Sequence, residues 1–563
     1  MKPRTRYLVL PAYLTLIAVV LFPVLQAPST YAVGDAHNDV WPAIWGIWWT
    51  QENLLSLLCL DTHTYLLFFP SGVDLHTHFP VFLSQFFALP FLLVLSPVVS
   101  WNLTVYTVLT LNCVSMYALA LHVVEDRAAS FLAGLLFGLN AYVLGHLHNG
   151  SPEHITLFFI PLTILSLVKL VEQPRLRRGV ITGVLLLLAT LSSWYYGFYL
   201  GLFACLYVGA KALHLRGPAR RKLLVAAGFA AAVYAVTVTP FLYPLMKNTI
   251  FAKPSNTIAW SQLHFVTDVA AFFAPGKATL DPSIRYYLKP VYIGSLCLLL
   301  CGLSLSRDCR KQTATLGWLS LVFFVLTLGS NLSIFGHVFE SIPLPSRLLP
   351  AIGTYRAHAL NLALFGLLAG FGFKSLTHRM KSGRARDAVK WLVPAAVIAE
   401  ALFLSPGPFP VPKTAMAVPA AYQTLAADEE SYGIIEVPFD LSDHILCGRY
   451  QFYQTVHRKP LVSGATYFLP SDSGSDVWDY IKDNAVLDLL FDLPHQRRST
   501  TLRKSDSSLA DAFQQLGADG FRYIIIHRRH LRPGTLANLD ALLTRHLGPD
   551  ARRTEDDIDL WRL

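Results

Sequence analysis

Asp35 and Asp39 stand four residues apart in Gly34-Asp35-Ala36-His37-Asn38-Asp39. A hydroxyl is a poor nucleophile, and a carboxylate within hydrogen-bond reach can take its proton as it attacks. On a helix the two acids share a face; in a loop both can converge on a substrate hydroxyl or a divalent cation. The plainer alternative is that Asp39 caps the helix that follows and Asp35 closes a turn. That helix carries Trp41, Trp45, Trp48 and Trp49, at i, i+4, i+7 and i+8 and therefore on one face. Tryptophan favours the headgroup level of a bilayer. The helix is thus expected to lie along the membrane surface, as an anchor or as one wall of a lipid-carrier groove.

Histidines recur among the same segments: His37, His63, His76, His78, His146, His148 and His154. In Asp74-Leu75-His76-Thr77-His78 an extended strand would point alternate side chains the same way, but two histidines and one acid are too few to name a metal. Glu153 with His148 and His154 makes a second polar cluster. His37, His76, His78, His148 and Glu153 are read as loop polarity or as acceptor-binding groups, and a divalent cation stays open. Gly448-Arg449-Tyr450-Gln451-Phe452-Tyr453 mixes aromatics with an amide, which suits sugar stacking and half-buried strands equally, so no site is assigned there.

The chain that must position these groups is apolar. Its 563 residues are 53% hydrophobic and 15% charged, with a mean hydropathy of +0.43. Soluble domains carry about 25% charged residues, so this is an integral membrane protein. The net charge of +10 does not signal nucleic acid: the basic residues sit in short loops between apolar runs, and no basic-aromatic module accompanies them. The seven cysteines are scattered without a CxxC pair, which reads as structural thiols.

A membrane span takes about 20 apolar residues. Candidate spans are 7–27, 103–123, 128–146, 154–171, 178–193, 196–214, 222–244, 290–306, 313–330, 357–377 and 389–405, about eleven in all. The first run is long for a signal peptide, so it is kept as a helix. No Lys or Arg occurs between Arg6 and Arg127, and the later basic clusters at 169–178, 211–222, 307–311 and 374–390 fall in alternate loops. The positive-inside rule places those loops in the cytoplasm. Segment 80–100, with Pro80, Pro90 and Pro97, is read as re-entrant or interfacial, because a full span there would invert every later basic loop.

The predicted fold is therefore an α-helical polytopic membrane protein. Residues 1–405 form the membrane domain, with a cytoplasmic N-terminus and a long first external loop at 28–102. Residues 406–563 form a small extracytoplasmic α/β domain, entered through Pro406-Gly407-Pro408-Phe409-Pro410. In it, Ile434-Ile435-Glu436-Val437 and Arg522-Tyr523-Ile524-Ile525-Ile526 read as strands. Segments 507–516 and 535–546 read as helices stopped by Gly517 and Gly548.

Taken together, these features resemble the GT-C glycosyltransferases, membrane enzymes that use polyprenyl-phosphate sugars. The shared features are an acid just after the first span, a long first external loop, about eleven spans and a C-terminal external domain. Gly34-Asp35 with Trp48-Trp49, Gly145-His146-Leu147, Tyr292-Ile293-Gly294, Pro345-Ser346-Arg347 and Tyr355-Arg356-Ala357-His358 are similar to segments of bacterial members. Many members carry adjacent acids or Asp-x-Asp, whereas here the spacing is Asp35-x-x-x-Asp39. The resemblance implies inverting transfer at the outer face of the cytoplasmic (inner) membrane, with Asp35 or Asp39 as base. It also implies cations that hold the donor phosphate: Arg347 and Arg356 first, since guanidinium pairs with phosphate through two charge-assisted bonds, then Lys289, Lys247 and Lys253. The alternative for Arg356 is an anchor to lipid headgroups. Two other function classes stay in view, a transporter or lipid flippase and a non-catalytic envelope scaffold. Transporters keep charged residues within broken helices near the midplane, whereas most spans here lack acids and bases, with Glu400 in the last span as the exception.

Overall fold

A computed structural model of the chain describes residues 8–249, 266–275, 290–306, 309–345, 354–407, 409–441, 443–465, 474–493 and 506–563. Lys253, Lys289 and Arg347 lie outside the described residues. Each expected span carries helix: Val9–Leu25, Pro97–Val123, Arg127–Gly138 running on into Ala141–Asn149, Pro152–Ile155 with Phe159–Glu172, Leu176–Ser192 and Trp194–Leu213. Then come Gly217–Thr249, Ser295–Ser304, Arg310–Thr327, His358–Arg379 and Gly383–Phe403. Among the described residues, 6 helices are long and apolar enough to cross a membrane, while Val9–Leu25, Ser295–Ser304 and Gln312–Thr327 are apolar but shorter. Segment 80–100 breaks into the helices Phe79–Phe86 and Leu89–Leu92 before Pro97 opens the next long one. Their 8 and 4 residues fall well below the length of a crossing.

The chain divides into two compact units, 1–40 with 80–240 and 255–414, and 41–79 with 241–254 and 415–563. In the first, small residues let helices approach closely, as they do where lipid removes the hydrophobic drive. A Cβ on Gly183 would stand 2.7 Å from the Ala230 carbonyl oxygen, and one on Gly179 would stand 2.8 Å from that of Ala226. Gly372 faces the Leu300 carbonyl in the same way. Glu400 also has a structural task there: its carboxylate accepts the Tyr292 hydroxyl at 2.9 Å and the backbone N–H groups of Ser295 and Leu296 at 2.5 and 3.1 Å. It caps the helix Ser295–Ser304, whose first amides lack partners within the helix. The acid in the last span thus has a structural role.

The second unit holds a four-stranded sheet. Gly433–Val437 runs parallel to Phe521–His527, with Ile435 opposite Ile524. Phe521–His527 then pairs antiparallel with Ile558–Arg562, which pairs antiparallel with Arg552–Glu555. The helix Asp506–Ala518 runs through Gly517, and the left-handed turn expected at that glycine falls at Gly520, with φ +95°. Gly548, at φ +86°, does end Pro533–Leu547.

The tryptophan helix, Val40–Glu52, corrects one expectation. Trp41, Trp45, Trp48 and Trp49 are 4%, 0%, 5% and 0% exposed, so they face protein and not a bilayer surface. Within the second unit the Trp45 indole N–H donates to Gln454 Oε1 at 2.7 Å, Trp41 packs on Phe452, and Pro42 lies against Gly448. A tryptophan stripe satisfies either environment, because a buried indole needs only one acceptor. Gln454 supplies it, and its own amide donates to the carbonyls of Leu66 and Lys459. Gln454→Leu leaves Trp45 and both carbonyls unpaired and is expected to destabilise this unit by about 1–3 kcal/mol. Thermal unfolding and limited proteolysis of the purified chain check this; an unchanged Tm would refute it.

Candidate active site

The acid segment is delivered by a short strand, Tyr31–Val33. Asn102, buried in the helix Pro97–Val123, grips that strand from the side. Its Oδ1 accepts Val33 N–H at 3.0 Å, and its Nδ2 donates to Tyr31 O at 2.7 Å and Pro28 O at 2.9 Å. Trp101 Nε1 donates to Val33 O at 3.0 Å. On the other side, Gly34 N–H donates to Pro412 O at 3.0 Å, and the Thr414 hydroxyl donates to Gly34 O at 2.8 Å.

From Asp35 to Asp39 the chain is a turn, not a helix, and it docks on the end of Ala141–Asn149. Asp35 N–H donates to His148 O and Asp39 N–H to Asn149 O, both at 2.9 Å. These are two of the last carbonyls of that helix, which have no partner inside it. Gly150 makes the approach possible: it is left-handed, with φ +69°, and a Cβ there would lie 2.7 Å from Val40 N.

The two carboxylates end up on either side of the helix end. Asp35 Oδ1 accepts His37 N–H at 2.9 Å and lies 3.0 Å from His37 Nδ1, while Oδ2 stands 3.9 Å from His148 Nε2. The Asp35 side chain keeps 28% exposure, enough for a substrate group to reach it. Asp39 Oδ2 accepts the Ser151 hydroxyl at 3.1 Å. Two residues on, Glu153 lies 3.3 Å from His154 Nε2 and feels the charges of both Asp39 and Arg356.

Arg356, on the turn Thr354–Ala357, is held by aromatic faces. Its guanidinium carbon is 4.0 Å from the Tyr195 ring centre and 5.3 Å from that of Tyr355, a cation–π clamp that fixes its direction. Beneath lies a packed layer. The His146 ring is 4.7 Å from His154 and 4.5 Å from Tyr142. The Tyr142 and Tyr196 hydroxyls are 2.9 Å apart, and that of Tyr196 donates to His154 O at 3.0 Å. His358, fully buried beside Phe272, has no hydrogen-bond partner on either ring nitrogen among the described residues.

Of the residues singled out in sequence, Asp35, His37, Asp39, His148, Glu153 and Arg356 share this network. His76 and His78 belong to the second unit, in a 3-10 turn and not the extended strand expected of them. Asp74 closes that turn by accepting His76 N–H at 3.1 Å. Burial pushes the Asp74 carboxyl up, but hydrogen bonds from the His76 ring and the Thr62 hydroxyl outweigh it and bring the group down to about 2. Lys289 and Arg347 fall outside the described residues, and Lys247 ends its helix exposed. Among the described residues no set of three or more His, Cys, Asp or Glu is arranged to hold a metal. Sequence reading missed Asn102, Ser151, Tyr142, Tyr195 and Tyr196. Only Trp194-Tyr195-Tyr196, an aromatic run opening an apolar span, carried a signal.

No family model matches the sequence, and no curated protein matches it. Solved structures do share the architecture. An oligosaccharyltransferase of Archaeoglobus fulgidus, tethered to an acceptor peptide containing the NVT sequon, superposes with a TM-score of 0.53 at 13% identity, over 97% of this chain and 71% of that one. The same organism's AglB, with an inhibitory peptide and a dolichol-phosphate, gives 0.50 at 12% identity, over 97% and 72%. A mycobacterial arabinofuranosyltransferase, AftD (mutant R1389S), gives 0.57 at 16% identity, over 96% of this chain and 38% of that one.

The chain shares the fold of these solved structures. It is an integral membrane protein, and within this architecture the acid turn, Glu153 and Arg356 are carried by the ends of different helices. Gly150 is the position on which the docking of the acid turn depends. Gly150→Ala adds a left-handed residue, which costs about 1–2 kcal/mol, together with a clash against Val40. A lower Tm and altered protease sensitivity within 31–40 are the expected result; wild-type values would show that the turn does not need this close approach.

Proposed function

We propose that the chain transfers a sugar from a polyprenyl-phosphate donor to an extracytoplasmic acceptor, a lipid, glycan or protein. The observation that carries this reading is a partly exposed carboxylate turn bonded to Ser151, beside Glu153, which feels the charges of both Asp39 and Arg356. The acceptor oxygen attacks the anomeric carbon from one face and gives its proton to Asp35 or Asp39. The bond from that carbon to the phosphate oxygen breaks, and polyprenyl phosphate leaves with the electron pair. Arg356 neutralises the charge that gathers on the leaving phosphate, and Arg347 and Lys289 are proposed to assist it. His37, His148 and Glu153 would orient the acceptor. A bound divalent cation would add its charge at the phosphate. One similar structure holds dolichol-phosphate, a lipid phosphate of this class.

The topology that goes with this reading follows the basic loops. The protein sits in the cytoplasmic membrane with its N-terminus inside, about eleven spans, and 406–563 as an extracytoplasmic α/β domain that helps to receive the acceptor. Transfer of label from polyprenyl-phosphate sugars in purified membranes tests it. Asp35→Asn is expected to lower turnover by about 10²–10⁴-fold if it is the base, with Asp39→Asn distinguishing the second acid. Unchanged turnover in both would remove the proposed base, and no transfer from any donor would favour a flippase or scaffold.

Arg356 offers a second test. Arg356→Gln is expected to cut kcat/KM by roughly 10²–10³-fold, the order of losing one transition-state charge donor. Arg356→Lys should recover only part, since an ammonium cannot make the paired contacts of a guanidinium. Full recovery by lysine would reduce the residue to a point charge.

A further inference from the structure

The helix Gly217–Thr249 is the barest of the six long apolar helices among the described residues. Only 22% of its apolar window is buried, against 83% for Thr354–Arg379. One side is used for packing: Ala226 and Ala230 lie against Gly179 and Gly183. A shallow pocket of about 400 Å³ opens on its first turns, lined by Gly217, Arg220, Arg221, Leu224 and Val225. Those positions recur at i, i+3, i+4, i+7 and i+8, so one helix face presents two guanidinium groups and then an apolar surface. Leu224 and Val225 are 47% and 55% exposed, and Val236, further along that face, is 74% exposed. The positive charge has no local counterpart. Lys211, Arg216, Arg220, Arg221 and Lys222 cluster here, and the chain holds no Asp or Glu between Glu172 and Asp268. Among the described residues neither Arg220 nor Arg221 makes an ion pair.

We propose that this face binds an anionic phospholipid, its phosphodiester paired by Arg220 and Arg221 and its acyl chains lying along Leu224, Val225 and Val236. Basic clusters at the end of a membrane helix attract anionic lipids, and a guanidinium takes phosphate through two N–H groups. The order of groups along the helix, charge first and then bare apolar surface, matches the order of headgroup and tail. A zwitterionic lipid brings the same chains without net charge, and free phosphate brings charge without chains. None of these residues belongs to the acid-turn network, so the site does not rest on the transferase reading.

Native mass spectrometry of the full chain released from nanodiscs of mixed phosphatidylglycerol and phosphatidylcholine tests it. Phosphatidylglycerol is expected to stay bound in preference to phosphatidylcholine. Arg220→Gln and Arg221→Gln should each weaken its retention by about fivefold. Leu224→Ser combined with Val225→Ser should weaken it while both arginines remain. Arg384→Gln, which removes an exposed cation at the start of Gly383–Phe403, should leave it unchanged. Equal retention of the two lipids, or as large a loss with Arg384→Gln as with Arg221→Gln, would overturn the proposal in favour of diffuse surface charge. Inorganic phosphate binding with the same arginine dependence, without phosphatidylglycerol retention, would overturn the lipid assignment. Full retention in the double serine variant would do the same.

Discussion

A helix leaves its last carbonyls without partners, and here two of them, those of His148 and Asn149, accept the backbone N–H groups of Asp35 and Asp39. The candidate site depends on this junction. It ties the turn after the first helix to the end of a helix more than a hundred residues later, and it uses only backbone, so neither carboxylate is spent on it. The geometry tolerates no side chain at Gly150, whose place is taken by the Val40 backbone. Asn102 extends the same logic to the strand before the turn, bonding three of its backbone groups with one buried amide. Each bond is worth about 1 kcal/mol; together they fix a segment that its own length could not hold.

Around this junction, charge meets imidazoles, hydroxyls and aromatic faces. Arg356 lies between Tyr195 and Tyr355, and Glu153 sits between the charges of Asp39 and Arg356. The ring faces fix the direction of the guanidinium, and a guanidinium is suited to phosphate by its paired N–H groups. Glu400 shows the opposite use of charge. Its carboxylate is consumed by a hydroxyl and two helix-start amides, which makes it part of the scaffold.

The tryptophans show how one pattern can serve two environments. Their spacing on a single helical face was legible, but what that face meets was not. Lipid headgroups and a protein groove both offer apolar contact with an occasional acceptor. Gln454 lies some four hundred residues away in sequence, and nothing local to Val40–Glu52 announces it. The same holds for His76 and His78, whose alternate spacing read as extended until the Asp74 carboxylate closed the turn around them.

The amino-acid order alone determined the membrane character, the placement of the helices, the acid pair and Arg356 as a candidate cation. Each of these follows from local quantities: the length of an apolar run, the alternation of basic loops, or a charged residue where charge is costly. Tertiary structure alone decided that Asp35 and Asp39 flank a helix end, that Ser151 and Glu153 join them, that Tyr195 holds Arg356, and that the tryptophan face is buried. Those outcomes rest on unpaired backbone carbonyls, ring faces and amides meeting across long stretches of chain. A residue's type states what it needs, but only the fold supplies the partner that meets the need.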